Sequence, residues 1–144
     1  MILPDVNILI HAVNADSPRN ARIRQWWDAC LSGTTPVCLS WTVIIGFIRI
    51  STNPRLFNQP LNFEEAAEYI KAWLDQPPVQ IISPREGHWK IVESLLKEAG
   101  TAGNLTTDAH LAALAIQWGC TLYSTDTNFA RFSGLKWKIG KAHV

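Results

Sequence analysis

The chain alternates short apolar runs with longer segments in which apolar residues recur every three or four positions. The short runs predict strands and the longer segments predict helices, because these periods match strand and helix geometry. Strands are expected at residues 1–5, 36–39, 79–82, 121–124 and 136–139. Helices are expected at residues 6–14, 18–32, 41–51, 63–76, 85–99 and 107–118. This order predicts a three-layer α/β/α sandwich around a short, mostly parallel central sheet.

Several predicted helices begin at residues that favour a helix start. Ser17 followed by Pro18 is typical of an N-cap and first turn, and Ser40 and Asn62 are N-cap candidates for the next two helices. No repeat, low-complexity tract or long linker interrupts the alternation. We therefore expect a single domain over residues 1–144.

The composition narrows the classes of protein that fit. The net charge is only +1, so a broadly basic nucleic-acid-binding surface is excluded and any affinity for RNA must be local. Charged residues form 17% of the chain, which suggests that a partner covers part of the surface. Seven tryptophans point the same way, since Trp26, Trp27, Trp41 and Trp73 lie on apolar or amphipathic helices. We expect core packing, together with an apolar groove or dimer face.

The cysteines and the longest apolar run bear on the compartment. Cys30, Cys38 and Cys120 are odd in number and lie in apolar stretches, which is typical of free thiols in a reducing compartment. The run from Trp41 to Ile48 is far shorter than the ~20 residues that span a bilayer, and no targeting signal is visible. We expect a cytoplasmic protein without a membrane partner.

Three of the twelve acidic residues stand next to almost wholly apolar sequence. Asp5 ends the first predicted strand, Asp126 follows the fourth, and Asp108 begins the apolar helix that leads into the fourth strand. Taken alone, each acid has a local explanation as a helix cap, a helix-start acid or a turn residue. Because ligands bind at the carboxyl ends of strands in open α/β sheets, we expect the three carboxylates to converge there.

Converging carboxylates indicate a metal site. In a partly desolvated crevice they repel one another, and a divalent cation among them removes that conflict. A ligand set of oxygen atoms alone suits Mg²⁺ or Mn²⁺ better than Zn²⁺. Such a site indicates hydrolysis of a phosphodiester by metal-activated water.

The sequence around the three acids is similar to a known family. The segments Asp5-Val-Asn7-Ile-Leu, Thr107-Asp108-Ala-His-Leu-Ala-Ala-Leu-Ala and Ser124-Thr-Asp126-Thr-Asn-Phe resemble the acidic signatures of PIN domains. The similarity to the VapC-type toxins of toxin–antitoxin pairs covers nearly the whole chain. It implies a magnesium- or manganese-dependent endoribonuclease that acts on RNA such as transfer RNA, forms a homodimer and is inhibited by a VapB-like antitoxin.

The resemblance also assigns roles to residues. Asp5, Asp108 and Asp126 match the catalytic, metal-binding acids of the family. Its polar neighbouring positions are matched by Asn7, Thr107 and Thr125, and we add Asn128 and Arg49 as further supporting candidates. Arg49 is a candidate for contact with phosphate or for an ion pair. The basic tail formed by Arg131, Lys136, Lys138 and Lys141 is a candidate for RNA contact or an ordinary solvated edge.

Two positions depart from the family pattern. Many members carry a glutamate where this chain has Gly46, and an aspartate is common where it has Asn128. No acid lies between Asp28 and Glu64, so the missing helix carboxylate has no local replacement. The alternative function is therefore a weakened PIN fold that binds RNA or an antitoxin without cutting. A dehalogenase-like phosphatase is disfavoured, because Asn7 stands where that chemistry needs a second aspartate.

Overall fold

The computed structural model describes residues 1–139. Its strands are β1 (Ile2–Pro4), β2 (Val37–Leu39), β3 (Val79–Ile81), β4 (Thr121–Tyr123) and β5 (Lys136–Lys138). Its α-helices are α1 (Val6–Val13), α2 (Asn20–Leu31), α3 (Trp41–Ser51), α4 (Phe63–Leu74), α5 (His88–Ala99) and α6 (Leu105–Trp118). A short 3₁₀ helix, Thr127–Arg131, connects β4 to β5. Lys141 of the predicted basic tail lies outside the described residues.

The strands form one five-stranded sheet in the order β3-β2-β1-β4-β5. All four pairings are parallel, and β1 pairs with β4 through Ile2–Thr121, Leu3–Leu122 and Pro4–Tyr123. The chain moves outward from β1 to β3 and then crosses back to β4, so right-handed crossovers place α1–α4 on one face and α5–α6 on the other. The predicted α/β sandwich is confirmed, with a sheet that is wholly parallel among these strands.

The core lies on both faces of this short sheet. Strand residues Leu3, Leu39 and Leu122 are inaccessible to solvent, as expected for a parallel sheet covered on both sides. An aromatic cluster fills the space between helices, where the Trp73 ring packs edge-on against Phe47 at 4.9 Å and Trp27 at 5.9 Å between centroids. Trp27 and Trp73 are thus core residues, as predicted.

Trp41 is different, because 54% of its surface is exposed. It lines an open groove of about 360 Å³ between α3 and α4 with apolar neighbours that include Ile44, Ile48 and Phe63. Across residues 1–139, no helix combines the length and the apolar character needed to cross a membrane.

Three helix starts differ from the sequence prediction. Helix α2 begins at Asn20 with Arg19 at the cap position; the Ser17 hydroxyl contacts His11 Nδ1 at 2.7 Å and accepts from the Arg19 N–H at 3.1 Å, before the helix starts. Helix α5 begins at His88, because Gly87 adopts a left-handed φ of 86° that a helix cannot include. Helix α6 begins at Leu105, two residues before its predicted start, so Asp108 lies within its first turn.

Candidate active site

Asp5 lies at the carboxyl end of β1, where it serves as the N-cap of α1. Its Oδ1 accepts a hydrogen bond from the backbone N–H of Val6 at 2.7 Å. Its Oδ2 accepts from Ser124 Oγ at 2.8 Å and from Asn7 Nδ2 at 3.3 Å. The side chain is therefore both a helix cap and a buried carboxylate held in one orientation. Burial raises the pKa of Asp5, the hydrogen bonds from Ser124 and Val6 lower it, and the charge of Asp126 raises it further.

Ser124 connects the two strand ends that carry acids. It follows β4 directly and is fully buried. Besides donating to Asp5, its Oγ accepts from the backbone N–H of Asp126 at 3.0 Å and from Asn7 Nδ2 at 3.0 Å. Sequence analysis did not single out this hydroxyl. Its place at the end of a buried strand, next to a candidate acid, was the available signal.

Asn7 and Thr125 complete this network. The Asn7 side chain donates to Asp5 and Ser124, and its Oδ1 accepts from the backbone N–H of Thr125 at 3.2 Å. Thr125 thus contributes through its backbone, whereas the sequence pattern had pointed to its side chain. The network binds the turn after β4 to the start of α1, so the two strand ends keep a fixed relation to each other.

Asp108 is brought to the same place by α6. It lines a crevice of about 70 Å³ together with Asp5, and the predicted supporting residues Thr107 and Arg49 line it too. Partial burial raises the pKa of Asp108 to about 6, and the charges of Asp5 and Asp126 add to this rise. Because each acid makes ionisation of another harder, the structure brings the three carboxylates into one electrostatic group.

Asp126 lies at the edge of this group. It caps the 3₁₀ helix Thr127–Arg131, and its Oδ1 accepts from the backbone N–H of Asn128 at 2.9 Å. Asp126 does not line the crevice, although its charge acts on both Asp5 and Asp108. The Asn128 side chain lines a neighbouring hollow instead. The structure therefore separates Asn128 from the crevice, which of the predicted residues is lined by Asp5, Asp108, Thr107 and Arg49.

The donor set fits a divalent cation, although the protein does not enclose one by itself. Within residues 1–139, no three acidic, histidine or cysteine side chains stand close enough to hold a metal ion. The described residues contain one salt bridge, Lys97–Glu93, so none of the three aspartates forms a salt bridge with a basic side chain there. Surplus charge on oxygen ligands favours Mg²⁺ or Mn²⁺, and Mg²⁺ commonly keeps several waters as ligands. Water and substrate phosphate can supply the remaining ligands.

Gly46 lies in the wall of the crevice, on the buried side of α3. A Cβ atom built at this position lies 3.4 Å from Val6 Cγ2, which is an ordinary van der Waals contact. The packing of α3 against α1 therefore leaves room for a Cβ atom, and it does not require glycine at position 46. The wall of the crevice thus contains the carboxylates of Asp5 and Asp108 and none at position 46.

The parallel sheet and the acids at its carboxyl edge are the features on which the chain can be compared with known protein families. A family model described as PIN domain matches residues 2–135, and the chain belongs to the PIN-domain family. It is similar to the Mycobacterium tuberculosis proteins Ribonuclease VapC33, with 40% identity over 95% of this chain and 96% of the relative, and Ribonuclease VapC37, with 36% identity over 95% of each.

The fold is also found among solved structures. VapBC2 from Rickettsia felis, bound to a DNA fragment from its promoter, matches with a TM-score of 0.70 and 17% identity. The match covers 96% of this chain and 98% of the other chain. At that identity the similarity establishes the fold, and the sequence relatives establish the family.

Proposed function

We propose that this protein is a divalent-metal-dependent endoribonuclease of the VapC type, which hydrolyses phosphodiester bonds in RNA as the toxin of a toxin–antitoxin module. The observation that carries the proposal is the electrostatic group of Asp5, Asp108 and Asp126, at the edge where β1 and β4 end. This edge is the point where the strand order reverses, which is where open α/β sheets bind ligands. The similarity to proteins named VapC ribonucleases supports RNA as the substrate.

The three aspartates are the proposed metal ligands and catalytic residues, with Mg²⁺ or Mn²⁺ as the ion. A bound divalent cation supplies activation of the attacking water and neutralises charge on the phosphate. Ser124 and Asn7 hold the Asp5 carboxylate in place, so little reorganisation is needed when the ion binds. Arg49, in the crevice wall, is placed to contact substrate phosphate.

The proposed partners are RNA, with transfer RNA as one candidate, a VapB-like antitoxin and a second copy of the chain. The exposed apolar surface on α3 and α4 supports a protein partner, since Trp41, Ile45 and Phe63 are 54%, 60% and 61% exposed. The three free cysteines support a cytoplasmic location.

The direct test is cleavage of purified total RNA by antitoxin-free protein. We expect discrete products with Mg²⁺ or Mn²⁺, and none with EDTA or with the Asp5→Asn variant. Asp28→Asn, which changes an exposed aspartate on α2, is the matched control and should cleave like wild type. No cleavage by folded wild-type protein with either metal would contradict the proposal.

Gly46 favours a second candidate, a PIN fold that binds RNA or antitoxin with little cleavage. The glutamate that the family pattern leads us to expect at position 46 is missing from this wall of the crevice. Gly46→Glu tests this candidate against Gly46→Gln, which has nearly the same shape without charge. A large gain of cleavage in Gly46→Glu alone favours the second candidate, whereas similar rates in all three proteins favour an active ribonuclease that needs only three acids.

A further inference from the structure

A second hollow lies beside the proposed catalytic acids. It has a volume of about 290 Å³ and lies between the loop that joins α5 to α6 and the 3₁₀ helix after β4. The residues with polar side chains that line it are Thr101, Asn104, Asn128 and Arg131. None of these residues takes part in the hydrogen-bond network that holds Asp5. The hollow is therefore a separate feature from the crevice.

Both walls of the hollow continue into the site. Asn104 immediately precedes α6, whose first turn carries Asp108. Asn128 and Arg131 belong to the 3₁₀ helix that Asp126 caps, and the Asn128 N–H donates to the Asp126 carboxylate at 2.9 Å. The hollow is therefore built from the same two elements that carry or adjoin Asp108 and Asp126.

The charge along this side is positive. After Asp126 the sequence contains no acid, and Arg131, Lys136 and Lys138 are exposed. Lys136 and Lys138 are two residues apart on β5, so they project from the same face of this edge strand. The Lys138 carbonyl accepts from the backbone N–H of Ser124 at 3.1 Å, which places that end of β5 level with the site.

The basic groups are available for a ligand. Within residues 1–139, neither Arg131 nor the two lysines form a salt bridge. Glu98 approaches this segment, but its carboxylate accepts hydrogen bonds from the Ser133 N–H at 3.1 Å and the Ser133 hydroxyl at 2.7 Å. The guanidinium in the wall of the hollow thus keeps its donors free for an anion.

We propose that the hollow binds a backbone phosphate of the RNA strand that continues past the cleaved bond, and that Lys136 and Lys138 extend this contact along β5. An arginine guanidinium matches two phosphate oxygens with parallel N–H donors, and the Asn104 and Asn128 amides supply further donors. These contacts position the strand without reading its sequence. The inference rests on the proposed function, because it assumes that RNA is bound at the acids.

The test measures binding separately from cleavage. Fluorescence anisotropy in EDTA follows a labelled single-stranded RNA of mixed sequence over a series of salt concentrations. We expect Arg131→Ala to weaken binding roughly five- to tenfold at about 0.1 M salt and to reduce the salt dependence by about 0.7 in log Kd per log salt, as for one lost phosphate contact. The double variant Lys136→Ala/Lys138→Ala should reduce the salt dependence of binding further than Arg131→Ala does.

Arg24→Ala is the matched control, because it removes the same charge from an exposed position on α2. The inference is overturned if Arg131→Ala and Arg24→Ala bind RNA with equal affinity and equal salt dependence. It is also overturned if the wild-type protein binds no RNA at low salt. A DNA strand of the same sequence should show the same Arg131-dependent loss, and a loss seen with RNA alone overturns the phosphate assignment. Arg131→Gln repeats the measurement if Arg131→Ala does not fold.

The outcomes separate the two proposals. If wild type with metal cleaves RNA but Arg131→Ala binds like the control, only the phosphate subsite fails. If wild type does not cleave RNA but Arg131→Ala weakens binding with a smaller salt slope, the proposed ribonuclease activity fails and the subsite remains.

Discussion

Replacing Asp108 with asparagine should stabilise the metal-free protein while it abolishes cleavage. Burial and the charges of Asp5 and Asp126 raise the pKa of Asp108 from 3.8 to about 6, so the ionised carboxylate is unfavourable in the folded protein. A fully buried group with this pKa change would cost ~3 kcal/mol. Asp108 is only half-buried, and solvent screening reduces the expected gain to about 1 kcal/mol at pH 7.5.

The pH dependence gives the sign of this effect. A folded-state pKa above the unfolded value means that the folded protein binds the proton more tightly, so stability falls as pH rises from about 3.8 to about 6. Above about pH 6 the ionised Asp108 lowers the free energy of unfolding by its full amount. The difference in the free energy of unfolding between Asp108→Asn and wild type should therefore be larger at pH 7.5 than at pH 5.0.

The assay is urea unfolding with EDTA at both pH values, with Asp28→Asn as the exposed control. The control should stay within about 0.5 kcal/mol of wild type, as is usual for surface substitutions. Mg²⁺ at a hundred times its Kd should stabilise wild type by about 2.7 kcal/mol, and the variant much less. The reasoning is refuted if metal-free Asp108→Asn is less stable than wild type at pH 7.5, or if the difference between them is the same at both pH values.

Three further substitutions test other parts of the structure by urea unfolding in EDTA. Gly46→Ala should stabilise the protein by about 0.5–1 kcal/mol, since alanine suits a helix better and its Cβ has room; a loss of stability would show that the crevice wall does need glycine. Asn62→Ala should destabilise it by about 1 kcal/mol, because it removes the Glu65 N–H acceptor of a complete capping box; an unchanged midpoint would mean that this cap contributes nothing. Ser124→Ala should cost about 1–3 kcal/mol by removing a buried donor from Asp5, and it should raise the Mg²⁺ concentration needed for cleavage; normal metal dependence would contradict the positioning role.

Local sequence signals were sufficient where the physical cause is itself local. Helix α3 runs over Trp41–Ser51 as predicted, because Ser40 caps it by accepting from the Val43 N–H at 3.2 Å. Asn62 caps α4 as predicted. In both cases the cap and the residues it serves lie within one turn, and the cap contact that the local sequence predicts is the one formed.

Contacts with other helices accompany two of the three helix starts that differed, those of α2 and α5. The Ser17 hydroxyl, predicted as an N-cap, contacts His11 of the preceding helix as well as the Arg19 N–H, and α2 begins only at Asn20. The segment before α5 is held by α6, since the Arg85 guanidinium lies 3.5 Å from the centre of the Trp118 ring. These partners are far away along the chain or belong to another helix, and local periodicity carries no information about them.

The sequence by itself determined the class of fold and the sheet edge to which the acids belong. Short apolar strands alternating with helices lead to a parallel sheet, and Asp5 and Asp126 then lie at the carboxyl ends of strands, on the same edge. That these two strands are neighbours was decided by the tertiary structure. The tertiary structure alone decided how the acids are held. Only the pairing of β1 with β4 brings the Ser124 hydroxyl to Asp5, across 119 positions of sequence, because a hydrogen bond requires its atoms to be about 3 Å apart.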